Sequence, residues 1–132
     1  EKGYTYGISA GIMFYPDSGL LAISTETDNE YVEPLIQEVY HEIDRLHQEP
    51  VSAEELTIVR NYMLGEMCRS YESPFSLSDA WIFIATSGLD DDYFSRSLLA
   101  VNEVTPMEIQ DLAQRYLCKE TLKEVIAGKK LS

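Results

Sequence analysis

Basic residues are scarce in this sequence. Ten Lys and Arg stand against 23 Asp and Glu among 132 residues, which gives a formal net charge of −13 at pH 7. A surface that binds nucleic acid needs clustered Lys and Arg to neutralise phosphates, so this composition argues against nucleic acid as a partner. The acidic surface could attract basic peptides, but it is more typical of a solvated exterior.

Long apolar runs are also missing. The chain has no stretch of about 18 apolar residues and no basic-then-apolar start, so the sequence predicts neither a membrane span nor a targeting segment. The sequence therefore does not indicate the cellular compartment of the protein. The sequence does not begin with Met and soon enters a strand pattern, and we expect a fragment of a longer protein. Its length predicts a single domain over residues 1–132.

Motifs of self-sufficient catalysis are scarce as well. Residues 7–11 (GISAG) match GxSxG in letters, but they lie within a strand pattern and not at a turn from a strand to a helix. The sequence contains no phosphate-binding glycine loop, no GxGxxG and no Cys with an evident His partner. Cys68 and Cys118 stand far apart outside any CxxC, which favours two buried thiols without a disulfide. The sequence by itself carries no catalytic centre.

Metal ligands do not converge in the sequence. Residues 41–45 come within one residue of HExxH, but Arg45 replaces the second His and His47 points to another side of the helix. Residues 90–92 form an acidic run that lacks the Gly and Glu of a calcium loop, so we expect them to cap the following helix. No cofactor or metal site is predicted in this chain.

The first 27 residues predict a β-hairpin. Side chains alternate with a period of two, and residues 16–19 supply turn chemistry before a second strand over residues 20–27. Gly7 and Gly11 give up side-chain packing inside the first strand, which often marks the close approach of another backbone, such as a peptide substrate. One face of this strand would carry Tyr4, Tyr6, Ile8, Ala10, Ile12 and Phe14.

Helical periodicity follows the hairpin. Start and stop signals are a capping box at Ser52 and Glu55, a second one at Thr105 and Glu108, and a C-terminal cap at Gly88. A final strand is expected to return to the sheet of the hairpin. The order predicts an α+β fold with an antiparallel sheet and helices on one face. The expected helices cover residues 30–48, 52–70, 75–87 (buried, with a strand as the alternative), 90–101 and 105–117, and the last strand covers residues 121–127.

The order of several short stretches resembles a known family. These stretches are KGYTYGISAG (2–11), GLLAISTET (19–27), QEPVSAEEL (48–56), RNYMLG (60–65), SPF (73–75) and VIAG (125–128). Together they are similar to the second, C-terminal, non-zinc-binding domain of the pitrilysin, insulin-degrading enzyme and mitochondrial processing peptidase family of zinc peptidases. The resemblance implies half of a clamshell around a peptide, with the first strand and helix of that half lying outside this chain.

The resemblance also implies a role for Tyr6. The family pairs an Arg with a following Tyr, and Tyr6 matches that Tyr through KGYTYG, while the Arg would precede Glu1. Tyr6 would then act as an auxiliary catalytic group that contacts the scissile carbonyl or its oxyanion, and Tyr6 and Gly7 would contact substrate. From the residues alone, a strand tyrosine more often packs its ring and leaves its hydroxyl in water.

The expected function is therefore the substrate-enclosing half of a zinc-dependent endopeptidase, inactive without a separate HxxEH-bearing domain that holds zinc. A non-catalytic structural or partner subunit of the same family is the alternative, and a self-contained α+β binding module is a third possibility. Expected partners are the HxxEH-bearing domain or subunit and a peptide substrate. Loss of the first strand would expose a sheet edge, through which we expect a homodimer.

Overall fold

The structure is a computed structural model that describes residues 2–15 and 17–129. Two strands, β1 (Ile8–Tyr15) and β2 (Ser18–Thr25), precede five helices, which confirms the α+β class. Two 3₁₀ turns, Asn29–Tyr31 and Lys119–Thr121, flank the helical part. The helices are α1 (Val32–Gln48), α2 (Ala53–Arg69), α3 (Pro74–Ser87), α4 (Tyr93–Glu103) and α5 (Pro106–Tyr116).

Contacts divide the chain into two compact units. Of the described residues, the first unit comprises 2–45 and 117–129, and the second comprises Leu46–Tyr116. The single domain over residues 1–132 stays a prediction.

The hairpin of the first unit has an unbroken antiparallel register. Pairing runs from Ile8 opposite Thr25 to Tyr15 opposite Ser18, which confirms the predicted hairpin. Its second strand covers Ser18–Thr25 and not residues 20–27, so Ser18 and Gly19 of the predicted turn belong to β2, and residue 16 lies outside the described residues. The ladder begins at Ile8, so Tyr4 and Tyr6 lie on an extension before the strand. Every residue of β1 is exposed. The apolar side chains of β1 are therefore not packed against other described residues. A two-stranded hairpin of this kind is only marginally stable by itself.

Helix α1 supplies the core of the first unit through Leu35 and Ile43, which are buried. The segment after α5 lies beside α1, because Tyr40 Oη donates to Glu124 Oε1 (2.8 Å) and Lys119 Nζ binds Asp44 Oδ2 (2.6 Å). The predicted strand over residues 121–127 is wrong: among the described residues, the sheet has only two strands. An alternating segment becomes a strand only where a neighbour completes its hydrogen bonds, and here side-chain contacts with α1 hold it instead.

Helix boundaries in the second unit follow the predicted signals. Ser52 Oγ accepts from the Glu55 amide (3.1 Å) at the start of α2. Gly88 ends α3 in the left-handed region, with φ of 66°. At the start of α5 the Thr105 amide donates to Glu108 Oε2 (2.8 Å) and the Glu108 amide donates to Thr105 Oγ1 (3.3 Å), which is a complete capping box.

The predicted acidic cap of α4 is wrong. Asp92 occupies the N-cap position but makes no side-chain cap hydrogen bond, because its backbone (φ −82°, ψ −6°) is already helical, whereas a capping residue is extended. Asp90 instead accepts from Arg96 Nη1 (2.8 Å). This hydrogen bond lowers the pKa of the Asp90 carboxyl below its ordinary value.

Helix α3 forms as predicted, but its predicted burial is wrong. Only Ile84 is buried, whereas Phe75 is 84% exposed and Trp81 is 51% exposed. The helix is mostly apolar without a clear polar face, and burial is limited to the stripe that ends at Ile84. Burial of the thiols was also predicted wrongly, since Cys68 is exposed and Cys118 is half-buried, although neither forms a disulfide.

Candidate functional site at the start of the hairpin

Tyr6 lies on the extension before β1 and is fully exposed, with a relative accessibility of 113%. Its side chain makes no hydrogen bond or ring contact with another described residue. The alternative interpretation, in which the Tyr6 ring packs against the protein, therefore has no packing partner in the described part of the chain. Its hydroxyl is left to meet solvent or a molecule outside this chain.

The backbone beside Tyr6 is held by side-chain hydroxyls. The Gly7 amide donates to Thr5 Oγ1 (3.1 Å), and the Gly7 carbonyl lies 2.8 Å from both Thr5 Oγ1 and Thr25 Oγ1. Thr5 Oγ1 also lies 2.8 Å from the Glu26 carbonyl and 2.8 Å from Thr25 Oγ1. We call Thr5, Gly7, Thr25 and Glu26 the hydroxyl clamp.

The preceding residues are held too. The Thr27 hydroxyl donates to the Tyr4 carbonyl (2.5 Å), and the Tyr4 ring stacks on Tyr31 with 5.6 Å between centroids. The hydrogen bond with Glu30 raises the pKa of the Tyr31 hydroxyl above its ordinary value. Tyr6 thus projects from a backbone that is fixed on both sides.

Gly7 and Gly11 leave open space beside the extension and the strand. A Cβ atom at either position would meet no described residue other than its neighbours in sequence within 4 Å, and neither residue has a positive φ. Among residues 2–15 and 17–129, neither packing nor backbone conformation requires glycine there. The sequence predicts that another backbone approaches these two glycines. This stays a prediction, and the open space beside both residues is compatible with it.

The HExxH-like stretch has a structural role. Arg45, which replaces the second His, donates from Nη1 to Glu42 Oε2 (2.8 Å). His47 Nε2 lies 3.0 Å from the Ala113 carbonyl near the end of α5. Because a carbonyl only accepts, the His47 ring carries its proton on Nε2 there and satisfies one of the last carbonyls of α5.

Metal ligands do not converge in the described part of the chain. No group of three or more His, Cys, Asp or Glu side chains in residues 2–15 and 17–129 is placed to hold a metal ion. The residues present do not fit a zinc site, and no chemical step at this site is routed through a metal. Likewise, no helix found in those residues is long and apolar enough to cross a membrane.

The hairpin and the helices give an α+β fold, and the exposed Tyr6 lies in its first unit. Residues 1–63 match the family model of the Peptidase M16 inactive domain, so this part of the chain is similar to a non-catalytic domain of a peptidase family. The match covers the hairpin, α1 and the first part of α2, and it confirms the resemblance found in the sequence. No curated protein matches the chain.

The hydroxyl clamp was not foreseen from the sequence. A signal for it exists, because Thr25 ends the ladder on β2 and Thr27 follows two residues later, while Thr5 precedes β1 on the other side of the hairpin. Where a ladder ends, hydroxyls at such positions can replace its backbone hydrogen bonds. The pattern becomes informative only after the register of the hairpin is known.

Proposed function

We propose that this chain is the substrate-enclosing, non-metal-binding half of a zinc-dependent endopeptidase. Peptide bond hydrolysis is carried out together with a separate HxxEH-bearing domain, which activates the water. The observation that carries this proposal is the match to the Peptidase M16 inactive domain over the residues that hold Tyr6. This chain supplies a wall of the chamber and one auxiliary side chain.

Tyr6 donates its hydroxyl proton in a hydrogen bond to the oxygen of the scissile carbonyl. Negative charge develops on that oxygen only as water attacks, so the hydrogen bond is strongest in the transition state. A donor whose backbone is already held has less to reorganise at that moment. The exposure of Tyr6 leaves its hydroxyl accessible to a substrate, and the hydrogen-bonded backbone at Gly7 supports this role.

Gly7 supports the role by leaving space for the substrate. A peptide that places its carbonyl at the Tyr6 hydroxyl must pass close to the backbone of the extension. Apart from its two neighbours in sequence, no described residue has an atom within 4 Å of the position that a Gly7 Cβ would take. A larger side chain at position 7 would occupy the space that we assign to the peptide.

The test is Tyr6→Phe in the complete peptidase that contains this chain and its HxxEH-bearing domain. We expect kcat for peptide cleavage to fall about 100-fold, as for loss of one oxyanion donor, with KM nearly unchanged. Tyr15→Phe is the matched control, because Tyr15 is also an exposed tyrosine of the hairpin. Equal activity of the wild type and Tyr6→Phe would refute the role of Tyr6. A native assembly without peptidase activity would favour a structural or partner subunit.

We also infer that the hairpin pairs with a second copy of this chain. Within β1 and β2 there is no charged residue and no break in register, although natural edge strands usually carry such protection. Like-charge repulsion between two acidic chains is therefore weakest at this surface. Antiparallel pairing of identical edges places the same residues on both sides of a two-fold axis. The apolar side chains beside this edge include Ile8, Ile12 and Phe14, each more than half exposed.

A further inference from the structure

We propose that Thr25 is a positioning residue for Tyr6, an inference that rests on the function proposed above. Its hydroxyl donates to the Gly7 carbonyl (2.8 Å) and thereby fixes the peptide between Gly7 and Ile8, while the Gly7 amide, in the peptide that directly follows Tyr6, donates to Thr5 Oγ1 in the same clamp. Thr25 is the last residue of β2 and is paired with Ile8 in the ladder. Its backbone is therefore fixed by the sheet, and its hydroxyl is a fixed donor.

The proton count of the hydroxyl clamp shows why both threonines are needed. Each threonine hydroxyl has one proton to donate. If Thr25 donates to the Gly7 carbonyl, Thr5 is left to donate to the Glu26 carbonyl, and both carbonyls are satisfied. Both protons are then used, so the 2.8 Å contact between the two hydroxyl oxygens carries no hydrogen bond of its own. The Gly7 amide completes the arrangement by donating to Thr5 Oγ1. Without the Thr25 hydroxyl, a single proton on Thr5 must serve two carbonyls.

Thr25 acts on Tyr6 through the backbone. The side chain of Tyr6 has no contact of its own within the described residues that would fix its direction, so its position depends on the peptides on either side. The Thr27 hydroxyl holds the peptide before Thr5 through the Tyr4 carbonyl. The hydroxyl clamp holds the peptide after Tyr6. Small misplacement of a catalytic group lowers the rate steeply, so loosening one anchor is expected to reduce turnover.

The variants that test this are Thr25→Val, which removes the hydroxyl with little change of shape, and Thr25→Ser, which keeps it. Ser9→Ala is the matched control, because the Ser9 hydroxyl bonds across the same hairpin to Ser24 (3.0 Å) but does not touch the extension. All are made in the complete peptidase. Amide hydrogen exchange at Gly7 is measured alongside kcat and KM.

In Thr25→Val we expect the Gly7 amide to exchange about 5-fold faster, because the clamp loses one typical net hydrogen bond and Thr5, which accepts from this amide, is held less firmly. We expect kcat to fall about 10-fold with KM nearly unchanged. Thr25→Ser restores both quantities, and Ser9→Ala changes neither. Unchanged exchange at Gly7 in Thr25→Val would overturn the inference at once.

A double-mutant cycle separates this inference from the proposed function. If Thr25 acts through Tyr6, adding Thr25→Val to Tyr6→Phe causes no further loss of kcat. Full additivity of the two losses would overturn the positioning role while the role of Tyr6 stood. If Tyr6→Phe itself has no effect on kcat, the proposed function of Tyr6 is refuted. The positioning role of Thr25 is then refuted as well, even if exchange at Gly7 shows that the hydroxyl clamp is intact.

Discussion

The guanidinium of Arg60 joins α2 to the end of α4. Its Nε donates to the Val101 carbonyl (3.1 Å) and its Nη2 donates to the Val104 carbonyl (2.6 Å). Carbonyls at the C-terminal end of a helix have no partner within the helix, and a cation there also opposes the negative end of the helix dipole. We therefore predict that Arg60→Ala loosens the last turn of α4.

The magnitude follows from these two contacts. A hydrogen bond that involves a charged group contributes about 1.5–3 kcal/mol net, so two of them would give about 3 kcal/mol at the low end. Arg60 is only half-buried and solvent weakens both bonds, so we take about 2 kcal/mol for the pair. A change of 1.4 kcal/mol is about tenfold in an equilibrium constant, so local opening should become roughly 30-fold more frequent. Arg60→Lys keeps a charge but lacks the forked donor geometry, and it should be intermediate.

The assay is hydrogen exchange at the Val104 amide, which donates to the Ala100 carbonyl (3.0 Å) and closes the helix. Arg69→Ala is the matched control on the same helix, because Arg69 forms only an exposed ion pair with Glu66. Such pairs contribute little, so exchange at Val104 should stay within about 2-fold of the wild type. Equal exchange in Arg60→Ala and Arg69→Ala would refute the reasoning, because the cross-helix hydrogen bonds would then carry no measurable stability.

Two further predictions concern the capping box of α5 and the edge of the hairpin. Hydrogen bonds from Thr105 lower the pKa of the Glu108 carboxyl, so the cap is complete above the ordinary value of 4.5 and is lost as the pH falls through the lowered pKa. The Thr105 amide chemical shift should titrate with a midpoint below 4.5 in the wild type and stay flat in Glu108→Gln, and a midpoint at or above 4.5 would contradict this. For the hairpin, light scattering should report a mass that rises to a dimer with concentration. Ile12→Lys should abolish the rise and Ile58→Lys on α2 should not, whereas a concentration-independent monomer mass would refute edge pairing.

Local signals in the sequence were sufficient where the interaction itself is local. Ser52, Gly88 and the pair Thr105 and Glu108 each act within one turn of backbone, and each cap forms where it was predicted. The hairpin also follows from a period of two around a turn. Asp92 is the exception, because capping requires an extended backbone at that residue, and composition does not specify that torsion.

Features that need a distant partner were not predictable in this way. The alternation of residues 121–127 indicates that they could form a strand but not whether a neighbouring edge is available, and the structure holds them beside α1 through Tyr40 and Glu124. The apolar composition of α3 similarly predicted burial that the unit itself does not supply. An apolar composition indicates that a helix is suited to burial, whereas its actual burial depends on which surfaces meet in the folded chain.

The features of the candidate site also separate into those that depend on local sequence and those that depend on distant contacts. The sequence by itself determined the hairpin, the helix caps and the family likeness that points to Tyr6, because these depend on residue types at fixed spacing. Only the tertiary structure decided that Tyr6 stands fully exposed and that the hydroxyls of Thr5 and Thr25 meet at the Gly7 carbonyl. The reason is physical: Thr5 and Thr25 lie 20 residues apart in sequence, and only the register of the folded hairpin brings their oxygens to 2.8 Å.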